Sequence, residues 1–308
     1  MIETFSQLSV KDDSLFLTHW SPEGSSPTAV VIIAHGMAEH GGRYREFAEH
    51  LTEHGFCVYA DDHRGHGRSV PKGGTYGHFS DKNGWELAVS DTEALVSQAA
   101  ENHPGLPMFI FGHSMGSFLV RDVIAATKQP LAGAIICGTA TLPSFMAELG
   151  KLIAGLHAKV SGPRSPSRLM DRLSFGSYNL CFFPARTPFD WLCSAPESVD
   201  RYINDPLCGY VSTASFFRDL NGALARIGKR SHIKKTPSDL PVLFLAGKKD
   251  PVAAMGVSAS TLAARYVEAG VRDSEAILYD GARHELFGEP IKERIYSDII
   301  DWMKARLS

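Results

Sequence analysis

One short segment constrains the fold of this chain more than any other: the sequence GHSMG at 112–116, in which two glycines bracket a serine. An apolar run at 107–111 precedes it, and a helix-like stretch at 117–124 follows. This order predicts a strand, a sharp strained turn and a helix, with Ser114 exposed at the turn. A serine hydroxyl is a weak nucleophile near neutral pH, so such a residue needs an adjacent base and donors for the oxyanion formed by its attack.

Strands and helices alternate along most of the chain. Eight segments have the apolar or alternating pattern of strands: 3–9, 14–20, 29–34, 56–61, 107–112, 131–137, 241–246 and 275–279. Five segments have helical patterns: 43–54, 84–102, 115–127, 257–269 and 291–306. This alternation predicts an α/β fold with right-handed crossovers and a doubly wound, mostly parallel sheet of eight strands. The first two strands, joined by a turn at 11–14, are expected to form an antiparallel pair at one edge.

The alternation stops between 138 and 230. An interruption of this length predicts an inserted helical lid, which divides the chain into a core domain of 1–137 and 231–308 and a lid of 138–230. Six aromatic side chains crowd into a short part of the insertion: Phe175, Tyr178, Phe182, Phe183, Phe189 and Trp191. They form either the lid's own small core or an apolar wall over the serine.

Composition argues against several classes of protein. The chain has 308 residues and a net charge of -3, without the basic run that a nucleic-acid partner would require. No stretch reaches the roughly 18 apolar residues of a membrane span, and the first residues do not form a secretory signal, so a cytoplasmic location is expected. The five cysteines lack C-x-x-C spacing, which suggests neither a disulfide framework nor a thiolate zinc site.

The partners of Ser114 are expected beyond the carboxyl ends of other strands of the sheet. Asp250 follows the seventh predicted strand, and His284 follows the eighth. The chain order Ser, Asp, His is one of the known orders of a catalytic triad. We predict that His284 is the general base and that Asp250 orients it. Asp280, in the turn after the last strand, is the alternative acid.

Two backbone donors are needed for the oxyanion. Met115 follows the serine directly, and the sequence HGMAEH at 35–40 follows the central strand on the opposite side. The backbone N–H groups of Met37 and Met115 are therefore the predicted oxyanion donors. His113 adjoins the serine, but strand alternation turns its side chain the other way, so we expect it to pack behind the turn.

Three segments resemble the α/β-hydrolase superfamily, and within it the branch of monoacylglycerol lipases and lysophospholipase-like enzymes. HGMAEHGGRY at 35–44 resembles the H-G-x-x-E-H-x-x-R-Y segment of that branch. DHRGHGRS at 62–69 is similar to its D-x-R-G-H-G-x-S segment, and GHSMG at 112–116 matches its serine turn. With the Asp250 and His284 loops, the resemblance covers nearly the whole chain and is weakest in the lid.

The resemblance implies an α/β-hydrolase fold and a serine hydrolase that cleaves carboxylic esters with one long or medium acyl chain. It implies no metal and no organic cofactor, and it makes the segment 62–69 a structural loop that braces the oxyanion side. Glu39, His40 and Arg43 are expected to lock the oxyanion loop by internal hydrogen bonds. The lid is expected to form the acyl channel and to contact membrane surfaces transiently.

Other functions fit the same residues. An acyltransferase uses the same triad with another alcohol or thiol in place of water. A peptidase similar to proline iminopeptidases needs an acidic group for the substrate's amine, for which Glu197, Asp200 and Asp205 are the candidates. A binding protein without activity is the third alternative, because a fold does not fix a function. The aromatic lid favours acyl chains, whereas the sequence does not predict chain length or oligomeric state.

Overall fold

An eight-stranded sheet forms the centre of the structure. The computed structural model describes residues 1–11 and 13–307, so Asp12 of the predicted turn and Ser308 lie outside it. The strands are β1 (Ile2–Val10), β2 (Asp13–Ser21), β3 (Ala29–Ala34), β4 (Phe56–Asp61), β5 (Met108–His113), β6 (Gly133–Cys137), β7 (Val242–Gly247) and β8 (Ser274–Tyr279). Their order in the sheet is β1-β2-β4-β3-β5-β6-β7-β8.

Ten α-helices accompany these strands in the described residues. They are α1 (Arg45–Glu53), α2 (Gly84–Asn102), α3 (Met115–Val123), α4 (Ser144–Ser161), α5 (Arg168–Phe175), α6 (Pro196–Asn204), α7 (Ala214–Ile227), α8 (Arg230–Ile233), α9 (Val257–Ala269) and α10 (Lys292–Lys304). Strands β3 to β8 pair in parallel, whereas β1 and β2 are antiparallel at one edge. The predicted α/β fold with a mostly parallel sheet is confirmed.

The central strands are buried and mostly apolar because both faces of the sheet are covered. In β3, Val30 and Ile32 belong to the core beneath α2, α3 and α9, whereas Val31 and Ile33 belong to the core beneath α1 and α10. Helix α3 ends at Val123 rather than at 127, since the next residues continue in turns.

The inserted segment, residues 138–230, holds α4 to α7 and the first residue of α8. Phe216 and Phe217 of α7 are buried in a cluster with Met115 and Phe118 of α3. The inserted segment therefore rests directly on the helix that follows the serine turn. Its independence as a lid domain stays a prediction.

Within residues 1–11 and 13–307, every helix is too short or too polar to cross a bilayer.

Candidate active site

Ser114 lies at the turn between β5 and α3, as the sequence pattern predicts. Its backbone has φ 51° and ψ -118°, a conformation that non-glycine residues rarely adopt and that costs about 1–3 kcal/mol. The surrounding structure holds it there, since the Ser114 N–H donates to the Cys137 carbonyl oxygen at 2.9 Å. Stored strain of this kind is common where a side chain must be presented for chemistry.

The two glycines of the turn are required by close backbone contacts. A Cβ atom on Gly112 would lie 2.3 Å from the carbonyl oxygen of Gly116. A Cβ atom on Gly116 would lie 2.0 Å from the carbonyl oxygen of Ala34 in β3. Both distances are far below van der Waals contact, so any side chain at either position would displace the serine.

His284 and Asp250 meet beyond the carboxyl ends of β7 and β8. His284 Nδ1 lies 2.9 Å from Asp250 Oδ2, and both side chains are buried. The other oxygen, Asp250 Oδ1, accepts the Val252 N–H at 2.8 Å, so the carboxylate is held on both sides. Asp280 points away: its side chain is 88% exposed and pairs with Lys248. Of the two candidate acids, only Asp250 contacts the imidazole.

Ser114 and His284 line one cavity of about 370 Å³, together with Met37. Most of its wall comes from the inserted segment, which contributes five aromatic side chains: Phe175, Phe189, Trp191, Tyr202 and Tyr210. Trp191 also packs within the segment, where it stacks on Phe175, and its ring centroid lies 5.3 Å from that of His284. The aromatic cluster is thus both a small core and a wall over the serine, although Phe183 is exposed.

Glu39 locks the loop that carries Met37. Its Oε1 accepts the Gly36 N–H at 2.5 Å and the Tyr44 hydroxyl at 2.9 Å, and Arg43 contacts its other oxygen. Burial opposes the charge, yet Arg43 and His113 hold the pKa of the Glu39 carboxyl well below its ordinary value. The charged Glu39 carboxylate therefore fixes the backbone N–H of Gly36, next to Met37.

Arg43 also joins this loop to the residue after His284. Its two terminal nitrogens donate to both oxygens of Glu285, each at 2.8 Å. Sequence analysis found Glu39 and Arg43 but missed Glu285, because the pair is 242 residues apart and nothing near Glu285 indicates it. The bidentate pair connects the proposed oxyanion loop to the proposed base loop.

The side chain of His40 bonds outside its loop, whereas its carbonyl oxygen accepts the Arg43 N–H at 3.3 Å within the loop. Its Nε2 lies 2.9 Å from Asp205 Oδ2, on the inserted segment. The same segment contacts the neighbouring backbone, since the Tyr202 hydroxyl and the Gly209 N–H both donate to the Ala38 carbonyl oxygen, at 3.1 and 3.0 Å. These bonds join residues that are far apart in the sequence, so no local sequence pattern indicates them.

The segment 62–69 has the contacts of a bracing loop. Asp62 Oδ1 accepts the Gly41 N–H at 2.8 Å, and His35 Nε2 accepts the His63 N–H at 2.9 Å. Arg64 forms a buried bidentate pair with Asp91 of α2. This loop therefore ties the segment after β3 to the body of the protein.

His113 packs behind the turn, as expected, and it also contacts the base. Its Nε2 lies 3.3 Å from the backbone carbonyl oxygen of His284, and its Nδ1 lies 3.4 Å from Glu39 Oε1. Burial disfavours the charged ring, but the hydrogen bond and charge of Glu39 raise the pKa of His113 above its ordinary value. His113 thus supports the backbone on which the imidazole of His284 is mounted.

The two expected oxyanion donors lie on either side of the serine. Met37 borders the cavity, and Met115 is the buried first residue of α3. N–H groups in the first turn of a helix have no partner within the helix, so they are free to bind an anion. The donor roles of Met37 and Met115 stay predictions.

The sheet topology and the arrangement of these residues define the chain as an α/β-hydrolase. A family model described as "Serine aminopeptidase, S33" matches residues 25–291, and the chain belongs to this family of α/β-hydrolases. Its relatives include monoacylglycerol and monoglyceride lipases. The chain is a carboxylic ester hydrolase of the monoacylglycerol lipase-like branch.

Three relatives illustrate the similarity. The monoacylglycerol lipase of Mycolicibacterium smegmatis is 31% identical over 292 residues, which cover 94% of this chain and 92% of the relative. The human monoglyceride lipase is 29% identical over 95% of this chain and 87% of its own length. The crystal structure of a thermostable carboxyl esterase from Bacillus coagulans, in complex with glycerol, superimposes with a TM-score of 0.92 at 26% identity and covers 100% of both chains.

Proposed function

We propose that this protein hydrolyses esters with a single acyl chain, of the monoacylglycerol or lysophospholipid type, through Ser114, His284 and Asp250. One observation carries the proposal: the 2.9 Å contact between His284 and Asp250 lies at a cavity that Ser114 also lines. The contact between His284 and Asp250 and the shared cavity of His284 and Ser114 together support a site built from three strand ends. This is the arrangement that nucleophilic catalysis by serine requires.

Acylation begins when His284 Nε2 takes the proton of the Ser114 hydroxyl as its oxygen attacks the ester carbonyl carbon. The N–H groups of Met37 and Met115 hold the oxyanion of the tetrahedral intermediate. When the intermediate collapses, the bond to the alcohol oxygen breaks, and the imidazolium of His284 gives its proton to that oxygen. The acyl group remains on Ser114.

Deacylation repeats the sequence with water. His284 removes a proton from water, the hydroxyl oxygen attacks the acyl carbon, and the proton returns to Ser114 as the carboxylic acid leaves. Asp250 accepts the hydrogen bond of His284 Nδ1–H in both steps. This bond leaves Nε2 free to act as base and stabilises the imidazolium that forms.

The cavity favours an acyl chain over a peptide. Its volume of about 370 Å³ lies within the usual range of small-molecule sites, and five aromatic side chains line it. The three carboxylates considered for an amine lie outside it: Asp205 contacts His40, Asp200 pairs with Arg186, and Glu197 lies beside them at an open surface depression. These contacts remove the three named candidates, whereas Asp171 of α5 does line the cavity.

The rate as a function of acyl length tests the proposal. We expect kcat/KM for p-nitrophenyl esters to rise by up to about fourfold for each added methylene, until the chain fills the cavity, because each buried methylene contributes about 0.8 kcal/mol. Monoacylglycerol and lysophosphatidylcholine would be compared with a prolyl p-nitroanilide. Faster cleavage of the anilide, or a profile independent of chain length, would contradict the proposal.

A second element of the proposal is transient contact with a lipid surface. Helix α4 exposes large apolar side chains along one face, at Phe145, Met146, Leu149, Leu152, Leu156 and Val160. Its opposite face is buried through Ala147, Ala154 and Ala158. A contiguous exposed stripe of this kind marks an interaction surface, and a helix of this type can lie in a membrane interface.

Replacing Leu156 by glutamate should separate surface binding from chemistry. We expect binding to phosphatidylcholine vesicles, and hydrolysis of monoacylglycerol in them, to fall about tenfold, since a leucine is lost from the interface and a charge is added. Hydrolysis of a soluble short-chain ester should not change. Val267→Glu is the matched control, because Val267 is also an exposed apolar residue but lies on α9. Equal vesicle binding by wild type and Leu156→Glu would refute the lipid contact.

A further inference from the structure

A second cluster of reactive side chains lies where β2 pairs with β4. His19 lies on β2, Cys57 near the start of β4, and His103 directly after α2. One ring nitrogen of each histidine and the Cys57 sulfur all lie within 4.8 Å of one another. We propose that these three residues bind a divalent transition metal of the zinc class.

The strand pairing explains how the three residues meet. His19 is paired with Tyr59 in the antiparallel register of β2 and β4, and the two rings stack with centroids 4.3 Å apart. Cys57 comes two positions before Tyr59, so it lies on the same face of the strand. His103 follows the last turn of α2, which brings a third element to this face. A bound metal would therefore link β2, β4 and α2.

The separation of His103 and Cys57 fits two ligands of a tetrahedral ion. His103 Nε2 and Cys57 Sγ are 3.5 Å apart. Zinc bonds of about 2.3 Å to sulfur and about 2.0–2.1 Å to nitrogen place two such ligands about 3.6 Å apart at a tetrahedral angle. The observed distance between His103 Nε2 and Cys57 Sγ matches this ligand-to-ligand distance without movement of either side chain. Two imidazoles and one thiolate form a ligand set that suits zinc and cobalt(II).

His19 provides the independent observation. Its Nε2 is buried and has no hydrogen-bond partner among the described residues. A buried nitrogen without a partner costs free energy, which a metal bond would offset. The other ring nitrogen, Nδ1, lies 3.5 Å from the Thr4 hydroxyl oxygen, so Nε2 is the atom left to bind a metal.

Metal binding changes the bonding of the other two ligands: Cys57 loses a proton, and His103 loses a hydrogen bond. Formation of the metal–sulfur bond releases the Cys57 thiol proton to solvent. His103 Nε2 lies 2.9 Å from the Tyr59 hydroxyl, and the metal would replace that hydrogen bond. The Tyr59 hydroxyl or a water molecule would fill the fourth position.

This cluster differs from the candidate active site in position and in chemistry. Cys57 lies near the beginning of β4, whereas Ser114 and His284 lie beyond the carboxyl ends of parallel strands. The metal would therefore hold the fold together rather than take part in ester cleavage. No spacing in the sequence indicates the cluster, because its members come from three separate elements.

Cobalt(II) titration of the full, untagged chain after dialysis against a chelator tests the inference. We expect one equivalent to give the visible absorption of tetrahedral cobalt and a near-ultraviolet thiolate-to-cobalt band, both removed by added zinc. Zinc at a hundredfold excess over its Kd should raise Tm by about 5 °C. Ester hydrolysis should stay within twofold throughout.

Variants identify the ligands. Cys57→Ala and His103→Asn should each lose the thiolate band or weaken cobalt binding at least tenfold, whereas Cys181→Ala and His54→Asn should bind as wild type. His103 is only partly buried, so its replacement remains informative if Cys57→Ala fails to fold. Absence of the cobalt bands in wild type, or bands that persist in His103→Asn with unchanged affinity, would overturn the proposal. Both results are independent of whether Ser114 is catalytic.

Discussion

Replacing Ser114 by alanine is expected to lower kcat/KM for a monoacylglycerol by about 10⁵-fold. The proposed reaction forms a covalent bond to the Ser114 oxygen, and the rest of the site supplies only the residual catalysis that binding and oxyanion donors provide. Stability should change by less than about 1 kcal/mol, because alanine and serine meet the same backbone strain at φ 51°. Stopped assays of fatty acid release and a urea unfolding curve would measure the two effects.

The matched control for this variant is Ser297→Ala, at an exposed position of α10 that contacts only its own helix. It should retain full activity. If Ser114→Ala kept more than about a tenth of the wild-type rate while remaining folded, another residue would have to be the nucleophile.

The second large effect is expected for Asp250→Asn, which should reduce kcat by about 10⁴-fold. The amide can still accept the Val252 N–H through its oxygen, so the loop should keep its shape. The NH2 group then faces His284 Nδ1, which must accept rather than donate. The imidazole of His284 then carries its proton on Nε2 instead of Nδ1. As a result, no base faces Ser114.

Asp280→Asn is the matched control, since Asp280 was the alternative acid and is exposed. Its activity should remain within about twofold of wild type. Steady-state kinetics of both variants on one soluble ester would decide the assignment. A larger loss in Asp280→Asn than in Asp250→Asn would require a different orienting acid from the one proposed.

The core of the fold was predictable because burial on both sides of a sheet leaves a direct pattern in the sequence. The apolar runs of β3 and β4 were predicted with the bounds that the structure has, as were α2 and α9. The inserted segment was recognised only as an interruption. Helix α4 carries its large apolar residues on the exposed face and alanines on the buried face, which is the reverse of the usual pattern.

The candidate site was predictable to the extent that parallel strands bring their carboxyl ends together. This rule placed Asp250 and His284 beside each other from their positions in the chain. The rule says nothing about contacts between loops, so it could not find the bonds from Arg43 to Glu285 and from Tyr202 to the Ala38 carbonyl. The side-chain partner of His40 was missed for the same reason, because Asp205 reaches it from the inserted segment.

Labelling with a fluorophosphonate, followed by mass spectrometry of the digested protein, tests the central proposal most directly. The Ser114 oxygen should displace fluoride from phosphorus, while His284 takes the proton. We expect one adduct per chain, on the peptide that contains Ser114, in parallel with loss of esterase activity and absent from Ser114→Ala. An adduct on another residue, or an enzyme that hydrolyses esters but is not labelled at Ser114, would contradict the account.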